Sequence, residues 1–190
     1  GLLATQTPVG SAFRGAGRQV YVIGGLGEAD ELRIGGTQYA KQVMRAMWGL
    51  PPKLDMEMEK RVHTAVREMV LNGAVESAHD VSDGGLAWAL AECAFPAGVG
   101  VEAELDSDLR PELLLYHEGP SRVVVSTSDA AKVEALAAAQ GVPAVRIGMT
   151  TDGWLAIRNR GAVLIETALA PLKEKWATAL ETMLHDEIHA

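Results

Sequence analysis

Residues 77–95 read SAHDVSDGGLAWALAECAF, from Ser77 to Phe95. A short strand, arriving through AVESAHD (74–80), meets paired glycines and then an apolar run, Leu86 to Phe95, that Pro96 and Gly98 end. A strand that turns directly into a buried helix is a unit of a layered α/β protein. Four polar side chains, His79, Asp80, Ser82 and Asp83, crowd the junction. The first amides of a helix have no internal partners, and its dipole is positive there. Two uses of that end remain open on the residues alone. Ser82 or Asp83 can cap the helix, which stabilises it by about 1 kcal/mol, with His79 a hydrogen-bonded strand-end histidine. Alternatively, the amides can receive a phosphate, with Gly84 and Gly85 allowing close approach and Asp80 and Asp83 offering hard oxygens to magnesium. No Gly-Lys-Ser/Thr follows, so the loop is not a P-loop.

Working outward, RQVYVIGG (18–25) reads as a buried strand ending in a glycine turn. Thr37 can cap a helix that places Ala40, Val43, Met44 and Met47 inward, until Gly49 and Pro51-Pro52 stop it. Asp55 caps a second helix with Met58, Val62, Ala65, Val66 and Met69 on one face, ended by Asn72-Gly73. Downstream, VGVEAEL (99–105) alternates like a strand with one acidic face. A short helix in RPELLLYHE (110–118) precedes a buried strand at Val123 to Val125. SDAAKVEALAAAQG (128–141) is a helix with Ser128 as cap and Gly141 as stop. VPAVRIGMT (142–150), GWLAIRN (153–159) and AVLIET (162–167) are strands, TTDGW (150–154) reads as a hairpin turn, and a long helix runs from about Thr167. Interleaved helices and strands, with consecutive strands late in the chain, predict an α/β protein of α+β type: a mixed β-sheet with packed helices, one domain over residues 1–190. The chain lacks an initial Met, and Leu2-Leu3 reads as the tail of a strand, so a C-terminal piece of a longer multidomain protein is expected.

Composition narrows the function. A hydrophobic content of 48% supplies a core, and no window reaches the roughly 18 apolar residues of a membrane span. The net charge of -8 argues against non-specific nucleic-acid binding but leaves room for a nucleotide ligand. A single cysteine, Cys93, excludes an internal disulfide and fits a reducing, cytoplasmic location; on its apolar helix it reads as a small buried residue. YHEGPSR (116–122) places His117, Glu118, Ser121 and Arg122 just before a buried strand, where Arg122 can contact phosphate or form a strand-edge ion pair. His185 and His189 have the i, i+4 spacing of two zinc ligands, but no Glu directly follows the first, and the pair sits in a tail expected to fray.

Several motifs in order carry a resemblance. IGGTQYAKQV (34–43) is similar to the Gly-Gly-Ser-Glu-Tyr segment of the phosphoribosylformylglycinamidine synthases. GLPPKLDMEMEKRVHTAVREMVLNGAVESAHDVSDGG (49–85), EGPSRVVVS (118–126), GVPAVRIGMT (141–150) and a terminal helix holding Trp176 resemble the same family along nearly the whole chain. The resemblance implies the C-terminal domain of the second half of the synthetase subunit, with the fold of the aminoimidazole ribonucleotide synthetase superfamily. It implies a parent ligase that uses ATP and magnesium, with ammonia made from glutamine, to convert formylglycinamide ribonucleotide to the amidine. Its implied partners are the other domains of the parent, a glutaminase subunit, a small ammonia-delivery subunit and small-molecule nucleotides. Asp80 matches a magnesium position of the first half. His79, Ser82, Asp83, Gly84, Gly85, Glu118, Ser121 and Arg122 are candidates for phosphate or nucleotide binding at an auxiliary ATP/ADP site, with the chemical step carried elsewhere. Thr37, Gln38 and Gly119 depart from the pattern, each losing a side chain common in the family. Competing readings are a thiamine-monophosphate-kinase-like or aminoimidazole-ribonucleotide-synthetase-like ATP enzyme, and a non-catalytic docking module.

Overall fold

Strand β1 (Gln19–Ile23) lies inside the sheet, paired along both edges, and its side chains explain the layers. Val20 and Val22 enter one apolar core, and Tyr21 and Ile23 enter another. A strand covered on both faces loses the polar alternation of a half-exposed one, hence the continuous apolar run in the sequence. The computed structural model describes residues 8–188, with side chains described as far as residue 184. Leu2 and Leu3 therefore lie outside the described residues.

Seven strands form one mixed sheet in the order β2-β4-β1-β5-β3-β6-β7. They are β1, β2 (Ser77–Asp80), β3 (Val99–Leu105), β4 (Val123–Thr127), β5 (Ala144–Asp152), β6 (Trp154–Asn159) and β7 (Ala162–Ala168). Every neighbouring pair is antiparallel except β3 and β6. Helices α1 (Met56–Leu71) and α4 (Ala130–Ala139) pack on one face through Val62, Ala65, Met69, Val133 and Ala137. Helices α2 (Gly85–Ala94) and α3 (Pro111–Tyr116) cover the other through Leu86, Leu90, Leu114 and Leu115. Helix α5 (Leu169–Ile188) buries Leu169 and brings the Trp176 ring to 5.3 Å from that of Phe95. Among the described residues no helix is long and apolar enough to cross a membrane.

Many of the expected element ends are present. The Asp55 carboxylate accepts from the amides of Glu57 and Met58 and starts α1, and Asn72 closes it. In β3, Val101, Ala103 and Leu105 are buried while Glu102 and Glu104 face solvent.

Three expectations are corrected. The helix expected from Thr37 to Met47 does start at Thr37, whose Oγ1 accepts from the Ala40 amide at 3.3 Å, but it is short: Gln38 and Tyr39 run into a π-helical turn, Ala40–Met44, ended by Arg45 at φ 55. The chain then folds back on residues 31–35: the Trp48 amide bonds to the Gly35 carbonyl and its indole N–H to the Glu31 carbonyl, so Val43, Met44 and Met47 stay exposed. Helix α4 is capped by Asp129, whose carboxylate accepts from the Lys132 amide, and not by Ser128. TTDGW does reverse the chain, but β5 and β6 are not partners, because β3 inserts between them and pairs with both. The backbones crowd so closely that a Cβ on Gly100 would stand 1.9 Å from the Trp154 carbonyl oxygen. The true hairpin is β6–β7, turning through Arg160 and Gly161, both at positive φ.

Candidate functional site

The Asp80–Gly85 loop follows β2, which occupies one edge of the sheet. Asp80 ends the strand with its side chain 75% exposed. Half-buried His79 donates from Nδ1 to the Asp80 carbonyl at 2.7 Å, and its Nε2 stands 3.5 Å from the Glu92 carboxylate. Ser82 and Asp83 are exposed. Neither side chain caps α2: the helix begins after Gly84 at φ 79, and the Gly85 amide bonds to the backbone carbonyl of Ser82. The capping alternative is thereby corrected, since two successive left-handed glycines swing both polar side chains outward.

The anion at this helix end comes from a distant part of the chain. Glu118 Oε1 accepts from the Gly84 amide and from the Gln38 amide, each at 2.8 Å. One carboxylate thus ties the glycine turn near Thr37 to the glycine turn before α2, using the helix-end preference for negative charge. A Cβ on Gly85 would meet the Leu115 carbonyl oxygen at 2.6 Å, so α3 and the loop pack backbone to backbone. Sequence reasoning placed Glu118 among the candidates but held no signal for this role, because its partners lie 34 and 80 residues away.

Arg122 is buried, and its guanidinium faces the protein. It donates to the carbonyls of Gly119 and His117 at 3.0 and 2.7 Å, with Leu26 at 3.4 Å. Burial lowers it to about 10, which leaves it charged at neutral pH. Buried His117 is pushed down to about 4, first by desolvation and then by the Arg122 charge. Its Nδ1 stands 3.3 Å from the Gly119 amide, and its Nε2 lies 3.0 Å from both the Leu26 carbonyl and the Arg122 guanidinium. Ser121 sits at φ 62 and donates from Oγ to Glu59 on α1, whose other oxygen lies 2.8 Å from His63. Arg122 and His117 therefore set the loop that presents Glu118 on one side and Ser121 on the other.

A cleft opens beside each. The first, about 490 Å³, lies between the Gly24–Glu28 turn, the start of α1 and Ser121, with Lys53, Arg61 and Glu28 on its walls. The second, about 650 Å³, lies beside Gly84 and is walled by Tyr39, Tyr116, Trp88 and Val43. Sequence reasoning missed both; the three aromatics are scattered over 78 positions and no local pattern joins them.

Among the described residues, no three His, Cys, Asp or Glu side chains cluster so as to hold a metal. Asp80 and Asp83 are exposed, so they fit only the mode in which magnesium takes one or two carboxylates and completes its shell with phosphate and water. The side chains of His185 and His189 lie outside the described residues.

The phosphoribosylformylglycinamidine synthase subunit PurL of Moorella thermoacetica is 39% identical over 153 residues, covering 80% of this chain and 21% of that protein. The subunit of the same name from Synechocystis sp. is 36% identical over 182 residues, covering 93% and 23%. The chain thus spans under a quarter of the length of these two relatives. The structure of T. maritima PurL complexed with FGAR aligns with a TM-score of 0.74 at 23% identity, covering 87% of this chain and 29% of that one. The same protein complexed with ATP aligns at 0.68. These structures establish a shared fold, which agrees with the mixed sheet and its two helical layers. The sequence pattern of the family described as AIR synthase related protein, C-terminal domain, matches residues 15–158, and the chain belongs to that family.

Proposed function

We propose that this chain is the C-terminal domain of the second half of a phosphoribosylformylglycinamidine synthase, a cytoplasmic ligase that consumes ATP and ammonia in purine biosynthesis. The observation that carries the reading is the identity of 36–39% to subunits of that name over most of this chain. T. maritima PurL has been seen complexed with ADP and with ATP, which supports a nucleotide as ligand. In this reading the Asp80–Gly85 loop and the Glu118–Ser121 segment border an auxiliary nucleotide site. Asp80 contributes a carboxylate to magnesium carried in on phosphate, and Asp83 stands beside it. Bound magnesium would neutralise phosphate charge. Gly84 and Gly85 let phosphate approach the backbone, His79 and Arg122 hold the loops from beneath, and Ser82 and Ser121 offer hydroxyls at the two rims. The geometry favours binding over chemistry: Glu118 is committed to two amides and Arg122 to backbone carbonyls, so neither is free to move a proton. The parent's glutaminase and small ammonia-delivery subunits are its proposed partners, consistent with the existence of a T. maritima PurLQS structure.

The test is ATP- and ammonia-dependent turnover of formylglycinamide ribonucleotide. The 190-residue chain by itself should give none, and a longer protein containing it should turn over. Clear turnover by the 190-residue chain overturns the reading.

A further inference from the structure

The aromatic cleft beside Gly84 has the makings of a ring-binding site. Tyr39 and Tyr116 stack with centroids 4.8 Å apart and planes 6° from parallel. Trp88 projects from the first turn of α2 and is 40% exposed. It packs over the glycine turn so tightly that a Cβ on Gly84 would stand 2.7 Å from its own Cβ. Three aromatic side chains from three separate segments thus wall one opening of about 650 Å³, within the size range of small-ligand sites. Two glutamines, Gln38 and Gln42, line it too, and each amide offers both a donor and an acceptor. The Glu118 bridge fixes the spacing of the walls, since Gln38 precedes Tyr39 and Gly84 begins the turn that carries Trp88.

We propose that this cleft seats a planar heteroaromatic ring, the base of a nucleotide. A flat ring offers two π-faces to aromatic walls and polar edges to carboxamides, whereas a protein surface packing here would leave the two glutamines to find partners. The inference rests on the nucleotide reading above only for the phosphates, which lie toward Asp83 and Gly84.

Calorimetric titration separates the parts, using adenosine for the ring alone, magnesium pyrophosphate for the phosphates alone, and ADP for both. Adenosine should bind the 190-residue chain. Trp88→Ala and Tyr39→Ala should weaken adenosine and ADP by about tenfold or more, as expected for loss of base stacking, and leave pyrophosphate unchanged. Trp88→Phe and Tyr39→Phe should restore most of the affinity, and circular dichroism confirms that each variant is folded. Absence of adenosine binding at millimolar concentration overturns the proposal, as does ADP binding that none of the variants alters; the latter leaves the nucleotide reading standing. Adenosine binding without any pyrophosphate binding supports the ring seat and removes the phosphate reading. Loss of self-association in Trp88→Ala, with no nucleoside binding to the unaltered chain, assigns the cleft to a protein contact and overturns the proposal.

Discussion

Glu118→Ala isolates the bridge between the two glycine turns. The substitution removes the acceptor shared by the Gln38 and Gly84 amides, each at 2.8 Å. A hydrogen bond to a charged group contributes roughly 1.5–3 kcal/mol when buried. Both amides and the carboxylate here are only part-buried, so water takes over some of that interaction. A loss of about 2 kcal/mol follows. In a domain of this size it lowers the melting temperature by about 4–8 °C. Glu118→Gln keeps a carbonyl oxygen at the bridge and loses only the charge, so about half that cost is expected. Urea melts should show a lower midpoint at an unchanged slope. Amide exchange adds a local readout: the Gln38 and Gly84 amides should exchange faster in Glu118→Ala, while amides in the middle of α1 keep their relative protection. If Glu118→Ala matches the unsubstituted chain within about 0.5 kcal/mol, or those two amides are unaffected, the bridge is not what holds the turns together.

Gly85→Ala should cost about 3 kcal/mol in urea melts, because φ 70 disfavours any Cβ and the new methyl would meet the Leu115 carbonyl oxygen. Gly98→Ala, at φ 67 but in open space, is the control and should cost about 1 kcal/mol. His117, lowered to about 4 in the folded state from 6.5, supplies a pH signature. The unfolded chain takes up the proton first, so this stability is fully present above about pH 6.5 and is lost as pH falls toward 4. The loss is on the order of 3 kcal/mol. Melts at pH 4.5 and pH 7 should differ less in His117→Gln; an unchanged difference would assign the acid sensitivity to other groups.

Local chemistry made many of the elements legible before any tertiary structure. Asp55 before an amphipathic stripe is a cap because its carboxylate reaches amides two and three residues on, a contact of purely local geometry. The alternating Val101–Leu105 segment shows its exposed acidic face for the same reason. Expectations failed where a distant segment competed. The helical spacing of Ala40, Val43, Met44 and Met47 was sound as a pattern, yet the amides of Trp48 and Leu50 bonded back to the carbonyls of Gly35 and Leu32 instead. At TTDGW the turn residues were read correctly, but not the strand that separates its arms.

The candidate site divides along the same line. The sequence by itself determined a glycine turn at a helix start with carboxylates beside it, because strand, turn and helix are consecutive and their backbone preferences act over a few residues. It also determined the family, because many such local features recur in order. Only the tertiary structure decided that the anion at the helix end is Glu118, that Arg122 faces inward, and that Tyr39, Trp88 and Tyr116 share one cleft. The Glu118 and aromatic contacts join residues 28 to 80 positions apart, and Arg122 reaches the Leu26 carbonyl 96 positions away, where the order of strands in the sheet, and not any local preference, sets which groups meet.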